Sequence, residues 1–318
     1  MTRSLTWLLL AGLTLAAPGA LAQPYVRTLV PGRSDFCVVW PIREYVYRLD
    51  AAGSLRTPGT TEFSAIEAAV ESWRTLAASC TDYTFTRGPD ISNPKVGFVQ
   101  GSTDNANVIL FRERDCNDVV PSGDDPCTQN RTCGNTYNCW QHGGSVIGLT
   151  TTTFSFRTGY VFDADIELNA AGDGRGFLFT TADSPPCGDR EGATDCVAAD
   201  VQNTLTHELG HVVGLDHVGF SAQPGSTMEA TAPPGETHKR IIDVGSAAGF
   251  CDAYPRALPP TQCQEAPTLG RRTLAESRGP GLACGVAPEA LGAPLALLLA
   301  LGGGLRRRRG GHSTPPGD

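Results

Sequence analysis

The sequence predicts a mixed α+β domain. Two stretches carry apolar residues every three or four positions, several short runs are β-branched or aromatic, and the cysteines are numerous enough to staple the segments between them. With 318 residues, 40% hydrophobic and 18% charged, the chain can bury a substantial core and does not read as disordered.

Residues 38–49 form a first strand, broken early by Pro41. Residues 61–79 place Phe63, Ile66, Ala69, Val70, Trp73, Leu76 and Ala77 on one face, which predicts an amphipathic helix capped by Thr60 or Thr61. Short strands follow at 83–86, 95–99 and 107–112. Residues 114–142 hold four cysteines and little periodicity, the pattern of a long disulfide-stapled loop. Two strands, 145–156 and 160–168, flank the turn Arg157-Thr158-Gly159. Asp163, Asp165 and Glu167 alternate along the second, so they share a face. The favoured reading is a solvated face over a buried one; calcium binding through some of them, or through Asp173, is the alternative. After a loop-rich stretch, 172–198, Asp200 opens a helix with Val201, Leu205, Leu209, Val212 and Val213 on its apolar side.

Ten of the eleven cysteines lie between 37 and 263, an even set suited to five disulfides in an oxidising compartment. Cys187–Cys196 and Cys251–Cys263 are the plausible short closures. No C-x-x-C pair favours a zinc cluster instead, and Cys284 is left over. Export agrees with residues 1–22, which read as a signal peptide: Arg3, an apolar stretch 5–17, and Ala20-Leu21-Ala22 before Gln23. The net charge is −8; residues 1–22 carry +1 and 285–318 carry +2, which leaves −11 on 23–284. That acidity argues against nucleic acid as a partner and suits divalent cations.

The chemistry concentrates at His207-Glu208-Leu209-Gly210-His211-Val212-Val213-Gly214-Leu215-Asp216-His217. Two histidines at i and i+4 project from one helix face and can converge on one ion. Glu208 lies beside them, placed to reach a water rather than the ion, which suits a general base. Gly214 can end the helix in a left-handed conformation and swing His217 back to the same point. Three neutral imidazoles plus a water form an open tetrahedral zinc site of the catalytic kind.

At these residues the chain resembles the metzincin clan of zinc endopeptidases, with the matrixin-like branch nearest because of Gly214-Leu215-Asp216-His217. The resemblance spans roughly 36–256. It implies a zincin-like fold, with a twisted, mostly parallel five-stranded sheet, an active-site helix, and a smaller C-terminal subdomain after His217. It also implies a methionine turn beneath the metal, and Met228, in Gly225-Ser226-Thr227-Met228, stands where that turn belongs. Residues 160–169 are similar to the strand before the active-site helix, 240–254 to the last helix, and 145–153 to the edge strand on which substrate lies. Val218 departs from the usual serine of matrixins, which leaves the subfamily open. Ala230 stands where other branches place a zinc-reaching tyrosine. Only His142 lies where a second, structural zinc would need several histidines. Cys37 reads as a disulfide partner rather than a latency switch.

Beyond 257 the chain reads as a linker to 283, then a tail over 284–310: Cys284, an apolar stretch 290–305 interrupted by Pro294, and Arg306–Arg309. This resembles the C-terminal sorting tails of myxobacterial exported proteins. The likeness implies recognition by a processing peptidase near Cys284, with lipidation possible there, and surface display; a simple membrane anchor is the alternative. The whole divides into a leader (1–22), a short lead-in (23–35), a catalytic domain (36–256), the linker and the tail. The expected activity is hydrolysis of protein or peptide substrates, with Glu208 as general base and His207, His211 and His217 holding Zn2+. A zinc- and disulfide-stabilised surface binding protein, and a hydrolase of non-peptide amides, are the alternatives.

Overall fold

The β-branched runs assemble into one sheet in the computed structural model, which describes residues 25–34, 36–172, 174–219 and 224–263, and the backbone of 282–285. Its strands are β1 (Glu44–Leu49), β2 (Thr84–Arg87), β3 (Asn107–Arg112), β4 (Val146–Phe154) and β5 (Val161–Asn169). They lie side by side in the order β2-β1-β3-β5-β4. The first four run parallel, and β4 is antiparallel to β5. This is the expected five-stranded, mostly parallel sheet. A further strand, β6 (Leu282–Gly285), lies antiparallel on the outer edge of β4.

Two helices, α1 (Thr61–Cys80) and α2 (Val201–Val212), pack together, and α3 (Val244–Ala253) closes the chain's described domain. The α1 stripe read from the sequence is the one that is buried: Ile66, Ala69, Val70, Trp73 and Ala77 face the core, with Phe63 and Leu76 at its margin. The indole of Trp73 donates to the Thr206 carbonyl at 3.0 Å, tying α1 to α2. Thr60 occupies the cap position of α1 without a side-chain bond.

Three stretches of the chain depart from the expected local structure. Residues 95–99 are not a strand. The Val96 amide and carbonyl are held by the Asn135 side chain, and the Gly97 amide donates to Asp165, so side chains satisfy backbone that a ladder would otherwise pair. Residues 114–142 are not structureless. They contain three short helical turns, Cys116–Val119, Pro126–Asn130 and Cys133–Tyr137, two of them capped by Asp115 and Asp125. The acidic face of β5 is buried rather than solvated. Asp165 accepts from the Gly97 and Val108 amides at 2.6 and 2.9 Å, and Glu167 pairs with Arg112 at 2.6 Å. The covering segments come from elsewhere in the chain, which alternation within β5 cannot reveal.

The five disulfides are Cys37–Cys263, Cys80–Cys251, Cys116–Cys139, Cys127–Cys133 and Cys187–Cys196. Cys187–Cys196 is as expected. The Cys251–Cys263 closure does not form, because α3 lies at the end of α1 and brings Cys251 to Cys80, while the chain beyond α3 returns Cys263 to Cys37. Cys37 is therefore bonded. Five disulfides point to an oxidising, extracellular environment.

The lead-in is part of this unit. Val26–Arg27 pairs antiparallel with Leu215–Asp216, the two residues before His217, and Tyr25 donates to Asp252 at 2.6 Å. Among the described residues no helix is long and apolar enough to cross a membrane. The leader 1–22, Asp173 and the tail from 286 onward, with its apolar stretch and four arginines, lie outside the described residues.

Candidate metal centre

Helix α2 is fixed at both ends before any ligand is considered. The Asp200 carboxylate caps it by accepting from the Asn203 amide at 2.6 Å. Arg240 clamps that carboxylate through Nε and Nη2 at 2.9 and 2.5 Å. At the other end the Trp40 indole donates to the Val212 carbonyl at 2.8 Å. Residues left with so little freedom hold their side chains in one orientation.

His207 and His211 sit one turn apart on this helix, and Gly214 ends it at φ +85°. A side chain at 214 would also meet the Val38 carbonyl oxygen, 2.4 Å from an ideal Cβ. Only glycine fits both demands. The chain then returns through Leu215–Asp216, pinned by Val26–Arg27, and delivers His217. Its Nε2 lies 3.2 Å from His207 Nε2 and 3.1 Å from His211 Nε2.

The tautomers follow from the other ring nitrogens. His207 Nδ1 lies 2.6 Å from the Thr227 carbonyl and His211 Nδ1 lies 2.9 Å from the Leu215 carbonyl. A carbonyl only accepts, so each Nδ1 carries the proton and each Nε2 turns a lone pair to the centre. Burial pushes His207 and His211 well below the usual imidazole range, reinforced by the neighbouring rings. Burial also lowers His217, to about 4, with Lys239 adding to it. Three neutral imidazoles facing lone pair to lone pair are the donor set a divalent cation requires. Among the described residues this triad alone brings three such groups together; Asp163, Asp165 and Glu167 do not converge on a common point.

Glu208 is buried beside the triad. Its Oε2 lies 2.7 Å from the Thr150 hydroxyl, while Oε1 has no protein partner. Burial raises its carboxyl to about 8 in the metal-free protein, although the Thr150 bonds oppose the shift. Gly148 on β4 makes room for it: an added Cβ there would lie 2.7 Å from Oε1. Beneath the helix, the Met228 sulfur packs against Gly210, where an added Cβ would fall 2.2 Å from it. The Met228 carbonyl accepts from the Val218 amide at 2.9 Å, so the turn that carries Met228 is laced to the segment after His217. Val218 thus serves through its backbone, and its side chain is buried. Asp243 holds the turn from below, accepting from the Thr227 amide at 2.7 Å and the Ser226 hydroxyl at 3.0 Å while it caps α3.

His207, Glu208, His211, Gly214, His217 and Met228 therefore meet at one place. Cys284 is also brought there, but only as a position: the backbone of β6 sets it opposite Gly148. Sequence reasoning did not single out Gly148, Thr150, Trp40, Arg240 or Asp243. A signal existed for one of them, since a glycine inside a strand marks close approach by another group. A cavity of about 180 Å³ is lined by Ile147 of β4, by Asp200, Asn203 and Thr204 at the start of α2, and by Ala232-Pro233-Pro234 and Glu236. No family model matches the chain, and no curated protein matches it.

Proposed function

We propose that this protein is an exported zinc-dependent endopeptidase of the metzincin type, displayed at the cell surface or released. The observation that carries the reading is the pairing of three converging Nε2 lone pairs with a buried carboxylate whose Oε1 is bare. A structural metal site has four protein ligands and needs no such carboxylate; an open site beside a base is built for hydrolysis.

A zinc ion held by His207, His211 and His217 would polarise a carbonyl and acidify a water molecule. Glu208 then does the proton work. Oε1, which has no protein partner, would take a proton from that water, and Thr150 holds Oε2 in place. The burial that raises its pKa also makes the protonated form a competent acid toward the leaving nitrogen. An extended peptide would pair main chain to main chain along the outer edge of β4, where β6 now lies.

The test is cleavage of casein and a diverse peptide library, read by mass spectrometry with and without chelator. Glu208→Ala keeps one metal ion per chain and loses at least about 100-fold in rate. A wild-type protein with full metal occupancy that cuts neither substrate would instead be a zinc- and disulfide-stabilised binding protein.

A further inference from the structure

The edge of β4 is already taken. Its inner edge pairs with β5, and its outer edge pairs with Leu282–Gly285 of the same chain, antiparallel, with Leu282 opposite Thr150, Ala283 opposite Leu149 and Cys284 opposite Gly148. Thr150 bonds to Glu208, and Gly148 lies against its carboxylate. The register then slips, and Gly285 stands opposite Val146. The backbone of 282–285 therefore covers the part of the edge that lies against the general base and no other part of the sheet.

We infer that residues 282–285 are an intramolecular ligand of the β4 edge, a tail strand that holds the site closed against extended peptides until it is displaced. An exposed strand edge has unpaired amides and carbonyls along one line, and two extended segments cannot both satisfy the same set. The strand is tethered: Cys263 is fixed to Cys37, and eighteen residues separate it from Leu282. A tether of that length gives an effective concentration on the order of millimolar, so even weak four-residue pairing competes with dilute substrate. The consequence for activity rests on the peptidase reading; the docking does not.

The experiment uses the full chain and follows amide hydrogen exchange across residues 146–150, comparing wild type with Ala283→Pro. Proline removes an amide, and successive amides of a strand point to opposite sides, so of residues 283 and 284 one must lose its bond to β4. Exchange in 146–150 is expected to rise about tenfold or more, and a synthetic peptide copying residues 279–287 should restore protection when added in excess. Cys284→Pro serves as a second variant, and unchanged metal content and unchanged exchange in α2 verify that both are folded. Cleavage of the peptide library should rise by a similar factor in both variants. Exchange that stays at the wild-type level in both overturns the docking. Faster exchange with wild-type cleavage unchanged overturns the latency it is assigned. Faster exchange with no cleavage by any form supports the docked strand and removes the peptidase reading instead.

Discussion

Two buried polar clusters lie within the same domain, and they are satisfied in opposite ways. On β5, Glu167 is enclosed by Arg112 at 2.6 Å and His142 at 3.4 Å, and Asp165 takes two backbone amides. At the metal centre the Nδ1 atoms of His207 and His211 and one Glu208 oxygen are satisfied, but the three Nε2 atoms face one another and Glu208 Oε1 has no protein partner. Burial alone does not distinguish structure from chemistry. What the remaining lone pairs face does: on β5 the Asp165 and Glu167 oxygens face donors within the chain, while at the centre the three imidazole Nε2 atoms face one another.

The sharpest way to break this comparison is to remove one member from each cluster. His211→Ala should abolish stoichiometric metal binding, read by elemental analysis, and hydrolysis with it, because two imidazoles leave the site one ligand short. Arg112→Ala should leave the metal in place and cost about 3–5 kcal/mol in chemical denaturation, since it strands a buried carboxylate. If Arg112→Ala stripped the metal, the two clusters would not be independent.

The β5 cluster also has a pH signature. Burial by itself would raise the Glu167 carboxyl, but the His142 ring 3.4 Å away and the Arg112 charge outweigh it and hold it below the usual carboxylate range. A folded pKa below the unfolded one gives stability that is present at neutral pH and lost as pH falls through the folded value. Metal-free wild type should therefore lose more stability than Glu167→Gln on acidification below about pH 4, measured by denaturant midpoints across pH. Parallel curves would mean that Glu167 is not held as a buried anion.

The same contrast explains what was legible in the sequence. His207, Glu208, His211, Gly214 and His217 lie within eleven residues, and helix geometry plus one left-handed glycine brings them together whatever surrounds them. The α1 stripe and the strands β1, β3, β4 and β5 were legible for the same reason, since each depends on spacing within itself. The burial of the acidic face of β5 is not legible in that way, because the partners of Asp165 and Glu167 come from residues 97, 108, 112 and 142. Cys251 was assigned to its neighbour in sequence when its neighbour in space is Cys80, on α1. The caps Asp115 and Asp125 were the exception: Asp125-Pro126 is a helix start in a stretch read as loop, outweighed by its cysteines and missing periodicity.

Gly148→Ala sharpens the comparison inside the centre itself. The added methyl would stand 2.7 Å from Glu208 Oε1 and 3.2 Å from its Cδ, and the strand cannot yield without breaking its pairing with β5. The carboxylate must move instead. A displacement near 1 Å of a catalytic group costs about 100-fold, expected here in kcat with metal affinity unchanged. A fall in metal affinity instead would show that Gly148 shapes the ligand set rather than the base.

The smallest effect belongs to Asp243, which joins the centre to the rest of the fold. One oxygen caps α3 through the Gly245 and Ser246 amides at 2.8 and 3.2 Å; the other takes the Thr227 amide and the Ser226 hydroxyl. Burial opposes its ionisation, but these donors prevail and keep its carboxyl below the usual range. Thr227 in turn offers its carbonyl to His207 Nδ1. Asp243→Ala should cost about 1 kcal/mol in stability as a lost cap and, through the freed turn, about tenfold in metal affinity. Asp243→Asn, which keeps an acceptor, should recover most of the affinity. Denaturant midpoints and competitive metal titration separate the two losses. Lost stability with full metal affinity would mean that the methionine turn is held by Met228 packing on Gly210, and that Asp243 caps α3 and does nothing for His207.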